Sequence, residues 1–249
     1  MGVVDNLANK LEGKGRTILY GLAALVAIFI IFIGWNSYRK KKANEAYQAL
    51  GRAIEVSSAT VTPSPSPGAT EMTFGTNKDR AERAVQEFQK VADKYGSPTR
   101  ELAQYFIATN KLYTNRNEGI NELDALSKNS NEEVSTMAKF ALAQAREEDA
   151  QYDAAAALYS ELAKKNNAAI PADTANYRLA MVYEKQGKKK EAADLLFSIV
   201  EASRKAKDPE GKPMTPSAAA REASTELEKL DSARFAQLPP EQPPADFPM

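Results

Sequence analysis

Carboxylates are the first residues to weigh for acid–base chemistry in this chain. The 249 residues include 33 Asp and Glu but no His and no Cys, so His-activated nucleophiles, Cys/His zinc sites and disulfides are excluded, while proton transfer by paired carboxylates remains open. The acidic residues stand among basic ones, as Glu147 and Glu148 do with Lys164 and Lys165 read as their partners on exposed helix faces. Carboxylates matched to cations keep their charge instead of sharing the proton that a catalytic dyad needs. No P-loop, paired-glycine nucleotide fingerprint or EF-hand loop is present. The sequence therefore predicts no catalytic residue, no cofactor and no metal, hence no enzyme. The 33 basic residues balance the 33 acidic ones, so no global field draws in nucleic acid.

The residues that do recur by type and spacing are aromatic. Tyr105, Phe140 and Tyr177 stand 35 and 37 residues apart. Grouped with them are Thr109, Leu112 and Tyr113, then Gln144 and Glu147, then Met181, Glu184 and Lys185. Aromatic rings with polar neighbours suit a groove that accepts a peptide or a helix by contact alone. Aromatics at helical spacing also suit a core, here in place of bulky residues missing at Gln104, Lys139 and Asn176, and both readings stay open.

Such a row needs repeating elements to carry it. Ala155, Leu158, Tyr159, Leu162 and Ala163 follow i, i+3, i+4, i+7, i+8, and Ala192, Leu195, Leu196, Ile199 and Val200 keep the same spacing. Each set is one apolar stripe of a helix that needs a neighbour to cover it. Ile107, Leu142 and Leu179 mark a period of 35 and 37 residues, with small Ala108, Ala143 and Ala180 after them. Turn positions follow at Asn115, Ala150 and Gly187, and Ala155 and Ala192 open the second helices. The pattern resembles the tetratricopeptide repeat (TPR). It departs in lacking the first-helix tryptophan and in placing Lys111 and Arg146 where Tyr183 fits. Helix starts are expected at Asp79, at Ser97-Pro98, at a capping box of Ser130 with Glu133, at Asp173 and at Thr215-Pro216.

N-terminal to these repeats, residues 17–38 carry no charge, and ILYGLAALVAIFIIFIGW at 18–35 is almost wholly apolar. As a helix this window reaches roughly 33 Å, enough for a hydrocarbon core of about 30 Å. Tyr20, Trp35 and Tyr38 fall at interface depth, with Arg16 before and Arg39, Lys40, Lys41 and Lys42 after. No small-residue cleavage site follows, so the span is expected to stay as a single anchor. The expected organisation is an N-terminal segment 1–16, a transmembrane helix 17–38, a TPR-like helical domain 39–235 and a disordered Pro-rich tail 236–249. Within the domain, Tyr47, Leu50, Gly51 and Ile54 read as one face, and a Pro/Ser-rich linker spans about 60–77. A helix from Asp79 to Tyr95 and a capping helix from Ser217 to Phe235 complete it. The fold class is all-α: a single N-terminal transmembrane helix followed by an α-solenoid of helix pairs.

The span followed by ANEAYQAL, and then AERAVQEFQKVADKYGSPTRELAQYFIATNKLY, is similar to the ancillary SecYEG translocon subunits, the YfgM-like proteins. The resemblance implies a non-enzymatic inner-membrane protein with its repeats in the periplasm. Its implied partners are the Sec translocon and periplasmic chaperones, with the lipid bilayer holding the one span. A structural subunit of a stable membrane complex is the alternative. The flanking charges point the other way: Lys10, Lys14 and Arg16 precede the span and Arg39 to Lys42 follow it, which favours a cytoplasmic domain by one charge.

Overall fold

The computed structural model describes residues 40–63, 72–165 and 167–241. The segment 1–16 and the expected span at 17–38, with Arg16, Tyr20, Trp35, Tyr38 and Arg39, lie outside the described residues, as do 64–71 of the linker and 242–249 of the tail. Among the described residues no helix is long and apolar enough to cross a membrane.

The chain divides into two units, 1–52 and 53–249. In the first, residues 40–52 are helical, Lys40, Lys41 and Lys42 are exposed, and Ala46 and Leu50 are buried. In the second, helical residues 53–57 bury Ala53 and Val56. The expected face is corrected in part: Leu50 is buried as expected, but Tyr47 and Ile54 are exposed, and Ala46, Ala53 and Val56 take the other inward positions. Two short parallel strands, β1 (Thr60–Val61) and β2 (Thr73–Phe74), follow in the second unit. They close the base of the Pro/Ser insertion, where β-branched side chains favour extended backbone. Arg80 donates to the Ala59 carbonyl at 3.3 Å beside them.

The rest of this unit is helical: α1 (Asn77–Lys94), α2 (Thr99–Thr114), α3 (Arg116–Leu126), α4 (Glu132–Glu148), α5 (Tyr152–Ala163), α6 (Ala172–Lys185), α7 (Lys189–Lys205), α8 (Ala218–Leu230) and α9 (Ser232–Phe235). Each of α1 to α8 packs on the next in sequence, and first helices also meet across pairs, α2 on α4 and α6 on α8. This is a TPR-like array of the hairpins α2–α3, α4–α5 and α6–α7, with α8 standing as a further first helix. The apolar stripes cause it. Ala155, Tyr159 and Leu162, and Ala192, Leu196, Ile199 and Val200, are all buried, and Leu158 and Leu195 pack against the same clusters. Each fully buried leucine contributes about 1.5–3 kcal/mol relative to exposure. Ala108, Ala143 and Ala180 are fully enclosed, so the backbones cross closely where the sequence places small residues. On α1, Ala84, Phe88, Val91 and Ala92 are buried as the period requires, and Phe88 stacks on Phe106 at 4.9 Å.

The helix starts fall one or two residues from the expected ones. Asn131, not Ser130, caps α4, its Oδ1 accepting from the N–H groups of Glu133 and Val134. Thr76 caps α1 by accepting from Asp79 N–H, and Ser217 caps α8 by accepting from Ala220 N–H. Pro98 and Pro171 precede α2 and α6 without a side-chain cap, so Asp173 lies inside the first turn of its helix. In each capped case the oxygen that reaches the third residue's N–H wins.

The hairpin turns of α4–α5 and α6–α7 are built alike. Gln151 N–H reaches Arg146 O at 2.8 Å, and Lys188 N–H reaches Tyr183 O at 2.9 Å. Both turns place a residue in the left-handed region, Gly187 at φ 75° and Ala150 at φ 57°. An alanine there bears a steric cost of about 1 kcal/mol that glycine avoids. Ala150→Gly is expected to raise unfolding stability by about 0.5–1 kcal/mol and Gly187→Ala to lower it by a similar amount, read from urea midpoints. Equal midpoints for all three chains would contradict this account of the turn.

The capping helix is broken. α8 ends at Leu230, Asp231 caps the short α9 by accepting from Arg234 N–H, and Ala220, Ala223 and Leu227 face inward. The expected disordered tail is corrected over 236–241. Leu238 is buried, and Arg204 donates to the Pro239 carbonyl at 2.6 Å.

Candidate protein-docking face

The first helices carry the candidate residues, and their partly open side runs through all three pairs. On α2, Thr109 is half-buried with its hydroxyl donating to Phe106 O at 3.0 Å, Leu112 packs on the α2–α4 cluster, and Tyr113 is 59% exposed. On α4, Gln144 is half-buried. On α6, Met181 is half-buried against the terminal cluster, while Glu184 and Lys185 reach solvent.

The aromatic row occupies one equivalent place in each pair. Tyr105 packs on Leu123 of α3 and Ala141 of α4, in a cluster that joins one pair to the next first helix. Phe140 does the same with Tyr159 of α5, ring centroids 5.7 Å apart, and Leu179 of α6. Tyr177 repeats it with Leu196 of α7 and Ala223 of α8. The three rings are wedges between successive pairs, and each keeps part of its surface at the solvent boundary.

Glu147 differs from its neighbours. It is 8% exposed and accepts from Tyr159 Oη at 3.0 Å and from Lys185 Nζ at 2.7 Å. The expected pairing with Lys164 and Lys165 is corrected. α4 and α5 run antiparallel, so the end of α4 lies beside the start of α5 and away from the lysines at its far end. Glu148 pairs instead with Arg116 at 3.0 Å, and Lys165 with Glu161 at 3.9 Å. Among the described residues no group of three or more acidic side chains could hold a metal ion.

The positions that lack a bulky first-helix residue are not filled alike. Beside Gln104 a groove of about 660 Å³ opens over Ala92, Ile107 and Leu126. Beside Asn176 another, of about 490 Å³, opens over Ile199, Ala202 and Ala220. At the middle position the stem of Lys139 is largely covered, and its Nζ bonds Glu161. Lys111, where the repeat pattern has an aromatic, bridges Glu118 at 2.5 Å and Glu122 at 2.6 Å.

Burial raises the pKa of Tyr105, Tyr159 and Tyr177. The charge of Glu147 adds to the effect at Tyr159, and the charges of Glu222 and Glu226 add to it at Tyr177. A phenol whose folded pKa is raised stays protonated while its unfolded counterpart ionises near pH 10, so its contribution is present below about pH 10 and lost as pH rises beyond it. Unfolding stability is therefore expected to fall as pH rises above about 10, and Tyr159→Phe to make the fall shallower. Lys111 titrates in the same direction, burial opposing and Glu118 and Glu122 outweighing it. The difference between the parent and Tyr159→Phe isolates the phenol, and parallel curves would remove it from the account.

No family model and no curated protein matches the chain. One solved structure is similar: a putative kinesin light chain of Podosopora anserina with nearly identical TPR-like repeats. It is 18% identical, the match covers 64% of this chain and 81% of that one, and the TM-score is 0.48. Likeness at this level assigns no family. The helix-pair order described above rests on this chain's own contacts.

Sequence reasoning missed three features of this surface. Tyr159 as the partner of Glu147 follows only from the antiparallel hairpin. The two grooves were signalled by polar Gln104 and Asn176 at the bulky position. Leu238 lay hidden in a proline-rich run.

Proposed function

We propose that the chain is a non-enzymatic, membrane-anchored adaptor that docks other proteins on the first-helix side of its TPR-like array. The observation that carries this is the exposed Tyr113 at the end of a face that continues through Gln144 and Met181 to Lys185, in a chain without His or Cys. An exposed aromatic beside half-buried apolar and amide groups is the composition of a protein-binding surface. Anchoring by 17–38 would raise the local concentration of this face near membrane-bound partners, so weak docking suffices. Within this proposal the repeats lie in the periplasm, and the partners are the protein-export machinery and its chaperones, as the resemblance to YfgM-like subunits implies. The charge balance around 17–38 favours a second reading, a cytoplasm-facing scaffold.

Orientation separates the two. A single cysteine at Ser66, in a chain with none of its own, should react with a membrane-impermeant maleimide in spheroplasts before lysis if the repeats are exported. Labelling only after lysis would end the export reading. For the face itself, Tyr113→Ala is expected to change stability by less than about 0.5 kcal/mol, since the ring is mostly solvated. It should also reduce photo-cross-linking to partners from position 109. Undiminished cross-linking would move the docking site elsewhere.

A further inference from the structure

The first helices carry one cation that the fold itself does not engage. Every other lysine and arginine of α2, α4, α6 and α8 holds a hydrogen bond or an ion pair. Arg178, half-buried on α6, holds neither among the described residues. A guanidinium partly withdrawn from water with no anion beside it carries a desolvation cost that an opposite charge would offset. The carboxylates of the adjoining helices are engaged elsewhere: Glu147 by Tyr159 and Lys185, Glu148 by Arg116, and Glu226 by Lys229. Glu184 and Glu222 form no ion pair with it.

The repeat shows where the missing anion belongs. α4 and α6 run parallel, and near their ends Lys185 bonds Glu147 at 2.7 Å. Two turns earlier the same face of α6 presents Arg178, seven residues before Lys185, and the same face of α4 presents Phe140, seven before Glu147. This second rung has its cation but a ring where the first has a carboxylate. Between the rungs Gln144 is half-buried and makes no side-chain hydrogen bond. The charge of Arg178 opposes the effect of burial at Tyr159 of the α4–α5 hairpin as well as at Tyr177, so its field reaches into the seam between α4 and α6. That seam is looser than its neighbours, because α4 and α6 approach less closely than α2 and α4 or α6 and α8 do.

We infer that the α4–α6 seam binds an aspartate or glutamate side chain of a docked partner segment, held by Arg178 and Gln144, with the segment's apolar residues seated on Phe140 and Met181. A guanidinium fork matches a carboxylate, and the amide of Gln144 supplies a further donor. One guanidinium beside a neutral amide balances a single charge, whereas the second charge of a phosphate would stand unmatched near Glu147. The inference rests on reading the first-helix side as the docking face and adds the partner's chemistry, an internal acidic residue among apolar ones.

The test is selection of random peptide segments, displayed within a loop so that none has a free carboxyl end, on the full chain in detergent and on its Arg178→Gln and Arg178→Glu variants. The parent is expected to enrich segments with one fixed acidic position beside apolar residues, and Arg178→Glu to select lysine or arginine there instead. By fluorescence anisotropy, a segment selected on the parent should bind it at least about tenfold more tightly than the same segment with the acid replaced by its amide, and Arg178→Gln should reduce that preference to less than about twofold. An acidic preference that survives Arg178→Gln, or enriched segments without an acidic position, would overturn the inference and leave the docking face standing. No enrichment on the parent would overturn both. Arg178→Gln should also keep the melting temperature within about 3 °C of the parent. A larger fall would show that the guanidinium already has a partner within the fold, and the inference would fail.

Discussion

Glu147→Ala is expected to cost about 2–4 kcal/mol of unfolding stability. The largest part comes from Tyr159, which is fully buried and loses the acceptor of its hydroxyl. An orphaned buried donor costs roughly 1–3 kcal/mol. The ion pair adds less, because Lys185 is 49% exposed and solvent screens it, so it contributes at most about 1 kcal/mol. Glu147→Gln separates the two contributions: the amide oxygen still accepts from Tyr159, and the expected loss falls to about 1 kcal/mol. Tyr159→Phe removes the donor and its need together, so Glu147→Ala in that background should cost clearly less than in the parent. Urea unfolding of the four chains measures this cycle. Losses that simply add would show that the hydroxyl and the carboxylate are not coupled. Because Glu147 lies in the last turn of α4, Tyr159 sits on α5 and Lys185 ends α6, the same cycle tests whether one carboxylate fixes two successive pairs against each other.

The parts of the fold that could be read from the sequence are those set by apolar period. Ala155, Tyr159 and Leu162 repeat as Ala192, Leu196 and Ile199 because a helix buries one stripe whatever its neighbour is, and the structure buries both sets. Small residues at Ala108, Ala143 and Ala180 were legible for the same reason. The helix starts were legible only to within a residue or two, since Ser130 and Asn131 are both competent caps and the local turn chooses between them. Glu147 was legible as a first-helix residue but not as a buried one, because its partners come from two other helices. The aromatic row was legible in register, and its place between pairs depends on how Tyr105, Phe140 and Tyr177 meet the next first helix. Leu238 could not be read at all, because proline-rich composition outweighs a single leucine in any local reading.

Gly119→Ala is expected to lower stability by about 2 kcal/mol or more, although alanine is the better helix former by about 1 kcal/mol. Gly119 is the α3 counterpart of Ala155 and Ala192, the positions at which each second helix comes closest to its first. The hairpins are not equally tight. From Ala108 to Gly119 the chain advances 119 − 108 = 11 residues, whereas from Ala143 to Ala155 and from Ala180 to Ala192 it advances 12. Asn115 alone joins α2 to α3, serving as the C-cap of one and the N-cap of the other. That short turn draws the helices together until a Cβ on residue 119 would lie 2.7 Å from Ala108 O and 2.9 Å from Leu112 N. Both are backbone atoms, which cannot rotate aside as a side chain would, so α3 must shift as a body and loosen Ile120 and Leu123 in the cluster that seats Tyr105. The reciprocal change gives the control. Ala155→Gly relieves no clash and should lose helix propensity, about 1 kcal/mol, and the burial of one methyl group, about 1 kcal/mol more, with no displacement of α5. Chemical unfolding of both variants decides the matter: a Gly119→Ala chain as stable as its parent would mean that the α2–α3 hairpin is looser than its one-residue turn requires.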